Sequence, residues 1–283
     1  MDEGALMNLP TTPETIQQMS VLLYHAVVST PPAGLARRER KYWMDAGDFR
    51  RHAALLRSST RSVVRLEDGW RARTFTPFTP TLLPRAPQPV PVVLTFDDGW
   101  ESDFSMAWPL LAEAGLPATF FVNTATLSQP GQLRWSQMRE MSAQGASFQS
   151  HGHRHIDLTR LGPQALWTEL RMSKDLLEGW VKKPVEFLAV PYGFVNRRVI
   201  DAALEAGYRA VCTSDPAPAA PGAASVSRIA IHAGTTPEEL DRLISGCRIP
   251  YWARRTRAAI LAPAKQLLRP PLPKQKPLSE AAR

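Results

Sequence analysis

Apolar residues run along this chain in short blocks, most of them closed by a glycine, a proline or a polar cluster. Residues 20–24 (Ser-Val-Leu-Leu-Tyr) are a continuous apolar run, which predicts a buried strand. Residues 48–56 place Phe49, Ala53 and Leu56 at near-helical spacing, with Asp48 as the expected N-cap. Residues 62–66 read as a strand. Residues 31–41 read as a polar, basic loop, and the six prolines of 76–91 make that stretch a connector. From residue 92 the pattern alternates. Strands are predicted at 92–96, 118–122, 146–149, 185–190, 210–213 and 226–231. Helices are predicted at 103–114, 136–144, 164–180, 196–206 and 237–244, three of them closed by Gly115, Gly145 and Gly207. Such alternation predicts an α/β fold, a parallel sheet with helices outside it. In a barrel-like α/β fold the loops after the strands share one face, and the polar clusters of this chain fall there.

Size and composition narrow the picture. With 283 residues, 44% hydrophobic, the chain can bury a sizeable core and is not globally disordered. It has no apolar run long enough to span a bilayer. Two cysteines, Cys212 and Cys247, cannot build a disulfide framework, and Cys212 lies in a strand run that reads as core. Residues 254–283 carry eight Lys/Arg against Glu280, which is +7 of the chain's +8. The remainder is nearly neutral, so nucleic acid is not the expected partner of the folded part. The division expected is an extension at 1–19, a catalytic domain at 20–249 and a basic, proline-rich tail at 250–283. Residues 251–261 mix aromatics, aliphatics and arginines, as in segments that lie on anionic membrane surfaces. Equal partitioning onto anionic liposomes by the full chain and by one ending at Gly246 would overturn that reading. The first nineteen residues show no secretory-signal pattern, so a cytoplasmic location is expected, peripheral on the membrane's inner face.

Two clusters carry chemistry. His151, His153 and His155 fall within five residues after a predicted strand. In a helical turn, His151 and His155 can face one metal while His153 points elsewhere. Asp97-Asp98-Gly99 ends the strand at 92–96. It can be a plain turn, but adjacent carboxylates repel unless something cationic relieves them. A metal held by one Asp and two His would do so, leaving positions open for water and substrate and the second Asp as a base.

These residues, Thr95-Phe96-Asp97-Asp98-Gly99 with Ser150-His151-Gly152-His153-Arg154-His155, resemble the polysaccharide deacetylase family, also called the NodB-homology or carbohydrate esterase 4 family. Leu116-Pro117-Ala118-Thr119-Phe120-Phe121-Val122 is similar to the strand after the family's first helix. Pro191-Tyr192-Gly193 is similar to the core of its third motif, and Val21-Leu22-Leu23-Tyr24-His25 to the opening of its exopolysaccharide-linked members. The resemblance spans about residues 20–245. It implies a distorted (β/α) barrel and a divalent metal on Asp98, His151 and His155. Zinc is the usual metal, with cobalt, nickel or manganese as alternatives. It further implies Asp97 as general base toward water, and the turn Pro191-Tyr192-Gly193, with backbone N–H near Tyr192, on the oxyanion and substrate side.

Two departures stand out. Ala189 occupies the place where many members carry an arginine that orients the base, so the tuning of Asp97 must come from elsewhere or be weaker. The family's late Leu-x-His acid is not evident either. His232, after Ile229-Ala230-Ile231, is the candidate general acid, with a surface histidine as the competing reading. Asp215 lies at a strand end suited to supporting that acid, but the accompanying Trp is absent. His25 can border the site or make a structural hydrogen bond. Trp100 and Trp135 can stack on a sugar ring or pack internally. The expected function is removal of N-acetyl groups from an amino sugar of a surface polysaccharide or its lipid-linked precursor. The alternatives are a deformylase or other deacylase of a lipid-linked amino sugar, and a non-catalytic glycan-binding module that keeps the metal site.

Overall fold

The computed structural model describes residues 18–72, 90–217, 219–245 and 269. Its strands are β1 (Ser20–Tyr24), β2 (Ala26–Val28), β3 (Trp43–Asp45), β4 (Val63–Val64), β5 (Val92–Phe96), β6 (Thr119–Val122), β7 (Ser147–Ser150), β8 (Phe187–Ala189), β9 (Ala210–Cys212), β10 (Ser225–Val226) and β11 (Ile229–Ala230). Its helices are α1 (Arg37–Arg40), α2 (Ala46–Ser58), α3 (Leu66–Arg71), α4 (Trp108–Ala114), α5 (Trp135–Ala143), α6 (Pro163–Val181), α7 (Arg197–Glu205) and α8 (Pro237–Ile244). A π-helical turn, Asp103–Ala107, leads into α4.

Nine strands form one sheet in the order β10-β9-β8-β7-β6-β5-β1-β11, with β4 beside the start of β5. All its pairings are parallel. Being covered on both faces, β1 and β5 are buried at every position. Side chains alternate between two apolar layers. Leu22, Leu94, Phe96, Phe120 and Leu188 pack outward with the helices. Val21, Val93, Phe121, Phe187, Ala189 and Cys212 point inward, and α3 adds Leu66 and Trp70 to that inner layer.

The run at 226–231 is not one strand. It splits into β10 on one edge of the sheet and β11 on the other, with only residues 227–228 between them. Three residue steps span at most about 11 Å, so the sheet curls until its edges nearly meet. This is the distorted (β/α) barrel that the resemblance implied.

Other boundaries also differ from expectation. The cap of α2 is Asp45, whose carboxylate accepts from the backbone N–H of Gly47 and Asp48, so Asp48 lies inside the helix. The stretch at 62–66 is a two-residue strand followed at once by α3. Within the polar segment at 31–41 sits α1, and β2 and β3 form a small parallel sheet of their own. The connector at 76–91 lies almost wholly outside the described residues, and Cys247 and the segment 251–261, expected at a membrane surface, lie outside them too. Among the described residues no helix is long and apolar enough to cross a membrane.

Candidate active site

The C-terminal ends of β5, β6, β7 and β8 converge on one face. Asp97 continues the register of β5, its N–H donating to the carbonyl of Tyr24 (3.0 Å), and it points inward with Val93 and Thr95. In an extended strand the next side chain would point away. Asp98 instead takes a left-handed backbone, φ 80°, which turns its carboxylate back toward the same site. Gly99 follows at φ 68°, where a Cβ would lie 2.9 Å from Val122 Cγ1, so that turn admits only glycine.

His151 extends β7 in the same way, its N–H donating to the Val122 carbonyl (2.9 Å). The loop from His151 to His155 is irregular, not the helical turn expected from i, i+4 spacing, and His155 sits at φ 54°. Glu169 of α6, almost fully buried, holds this loop. Its carboxylate accepts from the N–H of His153 (2.9 Å), the N–H of Arg154 (2.5 Å) and Arg154 Nε (2.8 Å). His153 is turned away, with Nδ1 2.7 Å from Thr124 Oγ1.

Asp98, His151 and His155 present one oxygen and two nitrogens within 4.8 Å of one another. Asp98 Oδ1 is 3.4 Å from His151 Nε2 and 3.2 Å from His155 Nε2. Each ring is oriented from behind. His151 Nδ1 donates to the Ala189 carbonyl (2.9 Å), which leaves Nε2 to face the carboxylate. His155 Nδ1 lies 3.1 Å from the Tyr192 hydroxyl, which itself donates to the His155 carbonyl (3.2 Å). A metal-binding histidine is normally held in this manner through its second nitrogen, so the donor set fits a divalent ion. Trp100 adds an indole N–H donated to Asp98 Oδ2 (3.3 Å) and packs on Trp43.

Tyr192 is therefore in the cluster through its side chain, from a backbone held at φ 60°. Pro191 and Gly193 shape the turn around it. Gly193 packs so tightly on Ser214 that a Cβ there would lie 2.1 Å from its Oγ. His232 follows β11, its ring 5.8 Å from that of Tyr42, which in turn lies 4.5 Å from the ring of His25. Among the described residues the buried Nδ1 of His25 has no hydrogen-bond partner, and burial pushes its pKa down. Asp215 is exposed. Trp135 stacks on Trp180, and Cys212 is buried core.

Arg228 is the residue that sequence reasoning missed. It sits in the closure between β10 and β11 and enters the barrel, 1% exposed. Its Nη1 and Nη2 donate to Asp97 Oδ1 and Oδ2 at 2.7 and 2.8 Å. Nη1 also lies 3.3 Å from Thr95 Oγ1, Nε donates to the Thr213 carbonyl (3.1 Å), and the guanidinium lies 5.0 Å from the centre of the Phe121 ring. Asp97, left without the family arginine at Ala189, is thus held by an arginine from elsewhere. Burial alone would raise its pKa. The Arg228 charge and hydrogen bonds, with His151 nearby, outweigh burial and hold the carboxyl below its usual range. It stays ionised across neutral pH.

A second buried acid opens the π-helical turn. Asp103 is fully buried, and among the described residues neither carboxyl oxygen has a hydrogen-bond partner. Burial, then the charges of Asp98 and Asp97, push its pKa well up. The folded chain therefore keeps a proton that the unfolded chain releases above about pH 4. Stability should fall as pH rises from there, until Asp103 ionises in the folded state. Asp103→Asn should raise the melting temperature at pH 8 and flatten that decline. A calorimetric pH series in which variant and parent fall in parallel would contradict this.

Residues 85–211 match the model of the polysaccharide deacetylase family. The chain is 27% identical over 202 residues to YxkH of Bacillus subtilis (strain 168), a protein named for the same family. That match takes 70% of this chain and 65% of YxkH, so the chain spans just under two thirds of that relative. It is 28% identical over 189 residues to a chitooligosaccharide deacetylase of Rhizobium leguminosarum bv. trifolii, covering 60% of this chain and 82% of that one. The structure of the Streptococcus pyogenes deacetylase PplD in complex with acetate matches with a TM-score of 0.71 and 26% identity, over 81% of this chain and 99% of PplD. Motif, curled parallel sheet and relatives agree, and over residues 85–211 this chain carries a match to the polysaccharide deacetylase domain.

Proposed function

We propose that this protein is a metal-dependent N-deacetylase acting on an N-acetylated amino sugar of a surface polysaccharide or its lipid-linked precursor. The observation that carries this reading is the pairing of two unlike carboxylates. Asp98 faces two histidines, while Asp97 beside it is locked on a buried arginine. A site built only to hold a glycan has no use for the second, ionised carboxylate. The relative named as a chitooligosaccharide deacetylase and the acetate in the PplD complex support an acetyl amide as the bond cleaved.

Asp98, His151 and His155 would hold the metal, zinc by preference for one oxygen and two nitrogen donors. Such an ion supplies Lewis acidity to the amide carbonyl and makes a bound water more acidic. Asp97 takes a proton from the attacking water, and Arg228 fixes the direction in which its carboxylate accepts. The backbone N–H of Tyr192 is assigned to the oxyanion, since Pro191 has none and that of Gly193 donates to the Val190 carbonyl (3.1 Å). His232 returns a proton to the departing sugar nitrogen, releasing acetate and a free amine.

Metal content by plasma mass spectrometry tests this without knowledge of the substrate. The parent should carry about one divalent ion per chain, and His151→Ala/His155→Ala should carry none. Absence of metal from both, after incubation with zinc, cobalt, nickel or manganese, would overturn the proposal.

A further inference from the structure

Asp157 stands two residues beyond His155, and its side chain is fully buried. Its Oδ1 accepts from the Thr159 N–H (3.0 Å) and Thr159 Oγ1 (2.6 Å). Among the described residues its Oδ2 accepts no hydrogen bond. A buried carboxylate in that state needs a cation nearby. Among the described residues that cation is Arg269, from the C-terminal basic segment, with Nη1 3.3 Å from Oδ2. The same guanidinium lies 4.4 Å from the centre of the Phe194 ring, a cation–π distance, and Nη1 is 3.4 Å from Thr159 Oγ1. One side chain therefore touches both loops that frame the metal-ligand cluster. The first loop carries His155 and Asp157. The second carries Tyr192 and Phe194, whose rings lie 6.4 Å apart. The two loops meet where Tyr192 hydrogen-bonds His155. His155 and Tyr192 both hold left-handed backbones, which persist only where their surroundings enforce them.

We infer that Arg269 is a positioning residue for the metal site. It clamps the loop of His155 to the turn of Tyr192. The inference rests on the metal-site reading above. It goes beyond that reading by giving Arg269 a role at that site.

The test is zinc affinity, measured by competition with a chromophoric chelator on the full chain. Arg269→Ala should weaken zinc binding about tenfold, the lower end of losses from outer residues that orient ligands. Arg269→Lys, which keeps the charge opposite Asp157, should recover part of that loss. If Arg269→Ala folds poorly, Arg269→Ala/Asp157→Asn removes the stranded carboxylate while still lacking the clamp, and the same loss is expected. Parental zinc affinity in the alanine variants would overturn the inference, even with a lowered melting temperature, since Arg269 would then serve stability alone. His155→Ala is the control. If it leaves zinc affinity unchanged, the metal-site reading fails. If it abolishes binding while the Arg269 variants match the parent, only the present inference fails.

Discussion

Arg228→Met should destabilise the folded chain by about 3–5 kcal/mol, the usual cost of stranding one member of a buried ion pair. At roughly 2–4 °C per kcal/mol for a domain of this size, the fall in melting temperature will be plain in calorimetry. The cost arises at Asp97, which is 3% exposed and has Arg228 as its bidentate partner. Adding Asp97→Asn should therefore recover much of the lost stability, because the stranded carboxylate is gone. Activity should not recover. Burial, no longer opposed by the guanidinium, will raise the Asp97 pKa in the single variant. The acid limb of its pH–rate profile should then move to higher pH. Turnover should fall by up to the ~10²–10⁴-fold that a general base contributes. A variant with parental stability and an unmoved acid limb would exclude Arg228 as the partner that tunes Asp97.

Asp97→Asn alone separates catalysis from metal binding. The amide keeps the shape of the carboxylate but cannot take a proton, so turnover should fall about 10²–10⁴-fold. Metal content should match the parent, since Asp98, His151 and His155 form the ligand cluster without Asp97. Acetate release from an N-acetylated oligosaccharide, read beside metal analysis, checks both halves. Full turnover would remove Asp97 from the mechanism. Loss of metal would mean that Asp97 belongs with the ligands.

The candidate site was legible because its members come in two short runs. Asp97 and Asp98 are adjacent, and His151 and His155 share one loop, so local spacing preserves the signal. What that loop looks like was not legible. The i, i+4 spacing suggested a helical turn, whereas Glu169 and a left-handed His155 hold an irregular one. Arg228 lies 131 residues from Asp97. One clue was present: an arginine inside the apolar run 226–231, where a buried arginine requires a partner. The strands β2 and β3 were missed because three residues carry too little periodicity. The cap of α2 was misplaced because Asp45 and Asp48 are equally plausible from residue type.

The sequence by itself determined the class of fold, through apolar runs alternating with amphipathic stretches. It also marked the two motifs as candidates for one site, through residue types at fixed local spacing. Only the tertiary structure decided that 226–231 breaks across the two edges of a curled sheet. That closure brings Arg228 to Asp97 and leaves the role of position 189 to another part of the chain. Periodicity records which face a side chain takes, but the partner it meets there depends on how far the sheet curls, and curling is a property of all the strands together.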